Sequence, residues 1–178
     1  MKKSLAAVLA IIFVVCMGCE KIQKPSEKQL PGTFSAKMEM NYNGTRTFSD
    51  ILINGDSFHR TVTQPEDISG LTIEGKAGKY TVKFDGKIID SDNKNSSYYV
   101  FASSFLQALK NAESGSQTAV RNGDTVVYSG DSPYGGYLLT TNPAAGIITE
   151  FSIKSIGMDA VFTNFVTQSK DVSYTENK

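Results

Sequence analysis

Two cysteines, one histidine, and a few serines and acids in recognisable spacings are the residues of this chain whose types could do chemistry. Cys16 and Cys19 stand three apart in "VVCMGCEK", Val14 to Lys21, and no other cysteine occurs. Such a pair could ligate a metal, form a disulfide, or be consumed before folding. A zinc site needs further nitrogen or sulfur ligands, which one histidine cannot supply. That histidine, His59 in "SFHRT", has no serine or cysteine nucleophile in a motif that pairs with it. On a strand it shares a face with Ser57 and Thr61, which makes it a solvated surface histidine. Ser132 in "GDSPYG" has Tyr134 where a nucleophile elbow requires its second glycine, so the segment reads as a turn. "DSDNKN", Asp90 to Asn95, alternates acids as a calcium loop begins. It then places Asn95 where the loop glycine belongs and Phe101 where the bidentate glutamate belongs. No catalytic residue, metal or cofactor is expected, and the chain is not expected to be an enzyme.

The cysteines are explained by what precedes them. Met1-Lys2-Lys3 is a short basic region, Leu5 to Val15 is almost continuously apolar, and Gly18 puts a small residue before Cys19. This is the build of an export signal. A membrane span needs about 20 apolar residues, and Glu20, Lys21, Gln23 and Lys24 arrive too soon for one. The segment "CMGC", Cys16 to Cys19, resembles the lipobox of bacterial lipoproteins, although Cys16 stands where that pattern prefers leucine. Plain cleavage after Gly18 also suits its small residues. The resemblance implies that residues 1–18 are a signal peptide and that Cys19 becomes the lipidated first residue. The protein would then be held on the extracytoplasmic side of the cell membrane by a two-chain anchor, which is durable where one acyl chain is marginal.

Composition narrows the partners. The 178 residues carry 18 Lys+Arg against 18 Asp+Glu, and losing Lys2 and Lys3 would leave a slight acidic excess. Nucleic acid demands a basic footprint, so it is not an expected partner, and a monomer is expected. Residues 19–32, "CEKIQKPSEKQLPG", are polar with two prolines and read as a tether. Residues 33–168 form one domain, and 169–178 a polar tail.

The elements that must position anything functional follow from periodicity. In "TFSAKMEMNYN", Phe34, Ala36, Met38, Met40 and Tyr42 alternate with polar residues, which places all five on one face of a strand. Asn43-Gly44 turns this strand into Thr45–Ile53. Short strands follow over Ser57–Thr63, Leu71–Glu74, Tyr80–Phe84 and Lys87–Ile89. From Ser97 to Asn111, Tyr98, Phe101, Ala102, Phe105 and Leu109 fall at the spacing of one helical face, with Ser96 or Ser97 as cap and Gly115 beyond the end. Strands then resume to Val166. The expected fold is mainly β: about nine or ten antiparallel strands in a strongly curved sheet, a half-barrel with the one helix packed in its concave face. One helix cannot roof a flat sheet of that width.

The segment Arg60 to Asp90, with its strand-ending Pro65 and its Asp85-Gly86-Lys87 turn, is similar to lipoprotein carriers and lipid-binding lipoproteins of the LolA/LolB and LppX/LprG-like group. "TTNPAAGIITEFSI", Thr140 to Ile153, is similar to the late turn of that group. The chain also resembles small lipoproteins of Gram-positive bacteria. The resemblance implies an apolar cavity between sheet and helix that holds a lipid, an acylated molecule or another apolar ligand, in a non-catalytic carrier or sensor. The candidate lining is Phe34, Met38, Met40, Tyr98, Phe101, Phe105 and Leu109. The alternative is a module with a filled core whose surface recognises another protein of the cell envelope.

Overall fold

A computed structural model describes residues 30–91 and 93–167. The signal segment, Cys19, most of the tether and the polar tail lie outside the described residues. Leu30 already packs against the core, and the Gly32 carbonyl accepts from the Gly55 N–H at 2.7 Å.

Period-two alternation and tight turns build two antiparallel meanders. The first is β1 (Thr33–Tyr42), β2 (Thr45–Asn54), β3 (Ser57–Gln64), β4 (Thr72–Lys76), β5 (Lys79–Phe84) and β6 (Lys87–Ser91). The second is β7 (Thr118–Asn122), β8 (Thr125–Ser132), β9 (Gly135–Asn142), β10 (Ile147–Ile153) and β11 (Met158–Thr167). Asn43 and Gly44 both adopt positive φ, 49° and 83°, as a hairpin turn matched to strand twist requires. Eleven strands are described where about nine or ten were expected.

β1 and β11 join the meanders into one sheet ordered β6-β5-β4-β3-β2-β1-β11-β10-β9-β8-β7. β6 and β7, consecutive in the chain, therefore lie at opposite edges. The link between them must cross the whole sheet, and helix α1 (Ser97–Ser114) makes that crossing. Eighteen residues at 1.5 Å each span about 27 Å, so the sheet must curl for its edges to lie within reach. Bulges assist the bend by adding twist. The register shifts between β1 and β11, β2 and β3, β5 and β6, and β9 and β10. The result is the expected half-barrel, open between β6 and β7, with the helix in its concavity.

Ser96 Oγ accepts from the Tyr99 N–H at the start of α1, and Gly115 closes its end in the left-handed conformation. The helix runs three residues past the expected Asn111. Its buried residues face the sheet: Val100, Phe101, Ala102, Ser104, Phe105, Leu106, Ala108 and Leu109.

Candidate functional site

The inward face of the sheet and the buried face of α1 meet in one apolar seam. Phe105 is its hub. Its ring stacks on Phe101 (5.4 Å between centroids) and on Phe162 (5.2 Å), and meets Phe151 (5.3 Å) and Phe34 (6.5 Å) edge-on. Such geometries suit the quadrupoles of aromatic rings. Phe34 also stacks on Phe165 at 4.5 Å, where Asn164 takes a positive φ of 49° near the end of β11.

All seven residues of the expected lining lie along this seam, in three zones. Phe34, Phe101 and Phe105 form the aromatic centre, with Met38 buried on β1. Leu109 lies toward one flank. There, Leu106, Leu109 and Ile53, with Pro31, Gly32 and the β2–β3 turn, line a recess of about 220 Å³. Tyr98 and Met40 lie at the other end, around a residue outside the expected lining.

That residue is Arg60, which is fully buried. Nε donates to Ser49 Oγ at 2.9 Å, one terminal nitrogen donates to Thr47 Oγ1 at 2.8 Å, and the other approaches Met40 Sδ at 3.6 Å. Its Cζ lies 5.9 Å from the centre of the half-buried Tyr98 ring. No carboxylate lies within ion-pair distance of it among the described residues. Loss of hydration pushes its pKa down to about 10, opposed by Tyr98. A signal for it was available. In "SFHRTVT" the alternation that puts His59 outside puts Arg60 inside, between Phe58 and Val62. Phe151 and Phe162 were also outside the expected lining.

The two ends of α1 are held differently. Near its C-terminus, Tyr137 Oη donates to Gln117 Oε1 at 2.6 Å and accepts from Asn111 Nδ2 at 2.8 Å. Burial raises the Tyr137 phenol, partly offset by the Asn111 bond. Near the N-terminus, Tyr99 meets Tyr80 edge-on at 4.9 Å, and Tyr134 Oη donates to the Lys94 carbonyl at 2.9 Å. Between them Ser104 Oγ, buried in the seam, has no hydrogen-bond partner among the described residues.

The residues first considered for chemistry lie apart. His59 is on the outer face, bonded to Thr61 at 3.2 Å and 4.0 Å from Glu74. Ser132 Oγ donates to the Gly135 carbonyl and accepts from the Tyr134 N–H, closing a turn. Asn93 Oδ1 accepts from the Asn95 N–H in the loop before α1. Among the described residues, no three His, Cys, Asp or Glu side chains come together as a metal site would require.

No family model matches the chain, and no curated protein matches it in sequence. Several solved structures are similar to it in structure. An uncharacterised conserved protein from Thermus thermophilus is 11% identical, with 80% of this chain and 82% of that one covered and a TM-score of 0.48. A LolA superfamily protein from Nitrosomonas europaea is 11% identical over 83% and 92%, with a TM-score of 0.40. A chain in the complex of the CwlD amidase with the GerS lipoprotein from Clostridioides difficile is 15% identical over 98% of each, with a TM-score of 0.43.

Proposed function

We propose that the protein is an exported, membrane-anchored carrier or sensor that binds a lipid or acylated molecule between sheet and helix without chemistry. The anchor would be a lipid on Cys19, which lies outside the described residues. The observation that carries the ligand reading is the recess of about 220 Å³ at the helix flank, where the buried Leu106, Leu109 and Ile53 form an apolar floor beside the seam and Asp56, Lys110 and Glu113 stand around them. Ligand sites usually enclose roughly 300–1,000 Å³, so an acyl chain would extend from the seam into this recess and widen it. Methionine and phenylalanine are adaptable linings for such a tail.

A second reading has its own observation. Phe34, Phe101 and Phe105 have no solvent exposure, so the seam is filled by the protein's own rings. Meanwhile Ile88 and Ile89 on the edge strand β6 are 66% and 57% exposed. A closed core with an apolar edge suits a module that pairs with another protein of the envelope.

Extraction of the purified protein followed by mass spectrometry separates the two. The carrier should yield a bound lipid and should bind the neutral dye N-phenyl-1-naphthylamine saturably. Leu109→Asp on the floor of the recess should abolish both while the far-ultraviolet spectrum is retained. If there is neither lipid nor saturable dye binding, the interaction module stands instead. The anchor is tested separately: Cys19→Ser should release the protein from the membrane fraction, and continued retention would refute lipidation.

A further inference from the structure

We propose that Arg60 seats the anionic head group, carboxylate or phosphate, of an amphipathic ligand whose tail lies in the aromatic seam. The proposal rests on the reading of the seam as a ligand site and adds to it the charge of the ligand.

A buried guanidinium is costly unless it is paired, and the usual partner is a carboxylate. Arg60 has none among the described residues. It offers five N–H donors to three acceptors, of which one is a thioether. Among the described residues, three donors thus lack a strong acceptor in a dry site, where an added carboxylate or phosphate would take a bidentate, charge-assisted pair. For folding alone, an apolar residue of similar size would serve as well or better.

Position points the same way. Arg60 lies beneath Tyr98, in the first turn of α1, and that turn carries no acidic residue. The partial positive charge of the helix N-terminus therefore adds to the guanidinium with nothing local to neutralise it. Tyr98 is the cover: it is half-buried and meets the cation with its ring face. Turning that ring outward would open a path to Arg60 between hydroxyl groups already placed, Thr47 and Ser49. Inward from there run Met40, Met38 and the phenylalanines, the route for a tail.

The test compares molecules with one tail and different heads. Lipid-free protein is loaded with N-phenyl-1-naphthylamine, then titrated at about pH 8, where a carboxyl is ionised. The competitors are palmitate, hexadecyl phosphate and hexadecanol, each kept below micelle formation. The charged heads should displace the dye at concentrations at least about tenfold lower than the alcohol, as a hydrogen bond to a charged group implies. Palmitate against hexadecyl phosphate tells which head is preferred. Inorganic phosphate alone should displace nothing; displacement by it would mean a free-anion site and overturn the amphiphile. Arg60→Met should bring all three tails to within about twofold while hexadecanol itself is unchanged. Equal displacement by the three in the wild-type protein, a comparison that requires no variant to fold, overturns the proposal and leaves the seam reading intact. A dye that never binds removes both.

Discussion

Replacing Phe105 by alanine tests the seam at its hub. The side chain is fully buried and touches four other rings. Truncating a buried phenylalanine costs about 3–5 kcal/mol through lost transfer energy and the cavity left behind. Each aromatic pair adds roughly 0.5–1.5 kcal/mol beyond area, although neighbouring pairs do not sum. The four pairs place Phe105→Ala near the top of the range, at about 4–5 kcal/mol. For a folded unit of about 135 residues that lowers the melting temperature by roughly 15 °C, at 3–4 °C per kcal/mol. Denaturant titration by circular dichroism is the assay, since the chain has no tryptophan to report by fluorescence. The variant should also gain a phenyl-sized hole. Benzene at ten times its Kd should restore about 1.4 kcal/mol, a larger gain than the wild-type protein, with the Phe105 ring in place, should show. A loss below about 2 kcal/mol, with no response to benzene, would refute the reasoning: the rings would not be packed against one another, and the seam would already hold empty space.

Three further outcomes follow from single contacts. Gly130 sits opposite Tyr137 across β8 and β9, where an added Cβ would stand 2.7 Å from the ring carbon Cζ. Gly130→Ala should therefore lower stability by about 1–3 kcal/mol, and a change under about 0.5 kcal/mol in the denaturation midpoint analysis would show that Tyr137 is free to move. Ser96→Ala removes the hydroxyl that accepts from the Tyr99 N–H and should cost about 1 kcal/mol, read from the same curves. Burial, with Tyr99 adding to it, pushes the Tyr80 phenol up to about 12. The folded state thus keeps a proton that the unfolded chain releases near pH 10. Tyr80 contributes stability present below about pH 10 and lost as the pH climbs towards 12. Tyr80→Phe should flatten the alkaline decline in melting temperature, and an unchanged decline would count against the burial of that hydroxyl.

The local structure was legible because its signals are local. Alternation from Phe34 to Tyr42 fixed the inner face of β1, Asn43-Gly44 fixed the first hairpin, and Ser96 and Gly115 bracket the helix. The order of strands was less legible, because pairing Phe34 with Thr167 joins the two ends of the domain and no local pattern announces it. Curvature was inferable only from area, by asking how one helix could cover so wide a face. Phe151 was obscured by the bulge after Ile148, which breaks the two-residue rhythm of β10. Gly75 and Gly130 resemble defects in their strands, yet each faces a tyrosine across the ladder, Tyr80 and Tyr137, whose ring occupies the space of the missing side chain. A glycine inside a strand is a sign of such close approach. Arg60 was within reach of the same alternation that placed His59 outside.

The topology also bears on how the seam could open. The segment carrying α1 joins the two sheet edges, which limits how far the helix can move from the concavity. Near its C-terminus it is tied by the Asn111–Tyr137–Gln117 chain of hydrogen bonds, and Gln117 also donates to the Ala108 carbonyl at 3.4 Å. Near its N-terminus, the Tyr99–Tyr80 and Tyr98–Arg60 contacts run through ring faces and edges, and the bond from Tyr134 Oη to the Lys94 carbonyl is exposed, so that its groups can turn to water. A tilt that keeps the C-terminal hydrogen bonds therefore lifts the N-terminal turn, uncovering the buried cation before the phenylalanines. If a ligand enters, the geometry makes charge the first thing it meets and apolar surface the second.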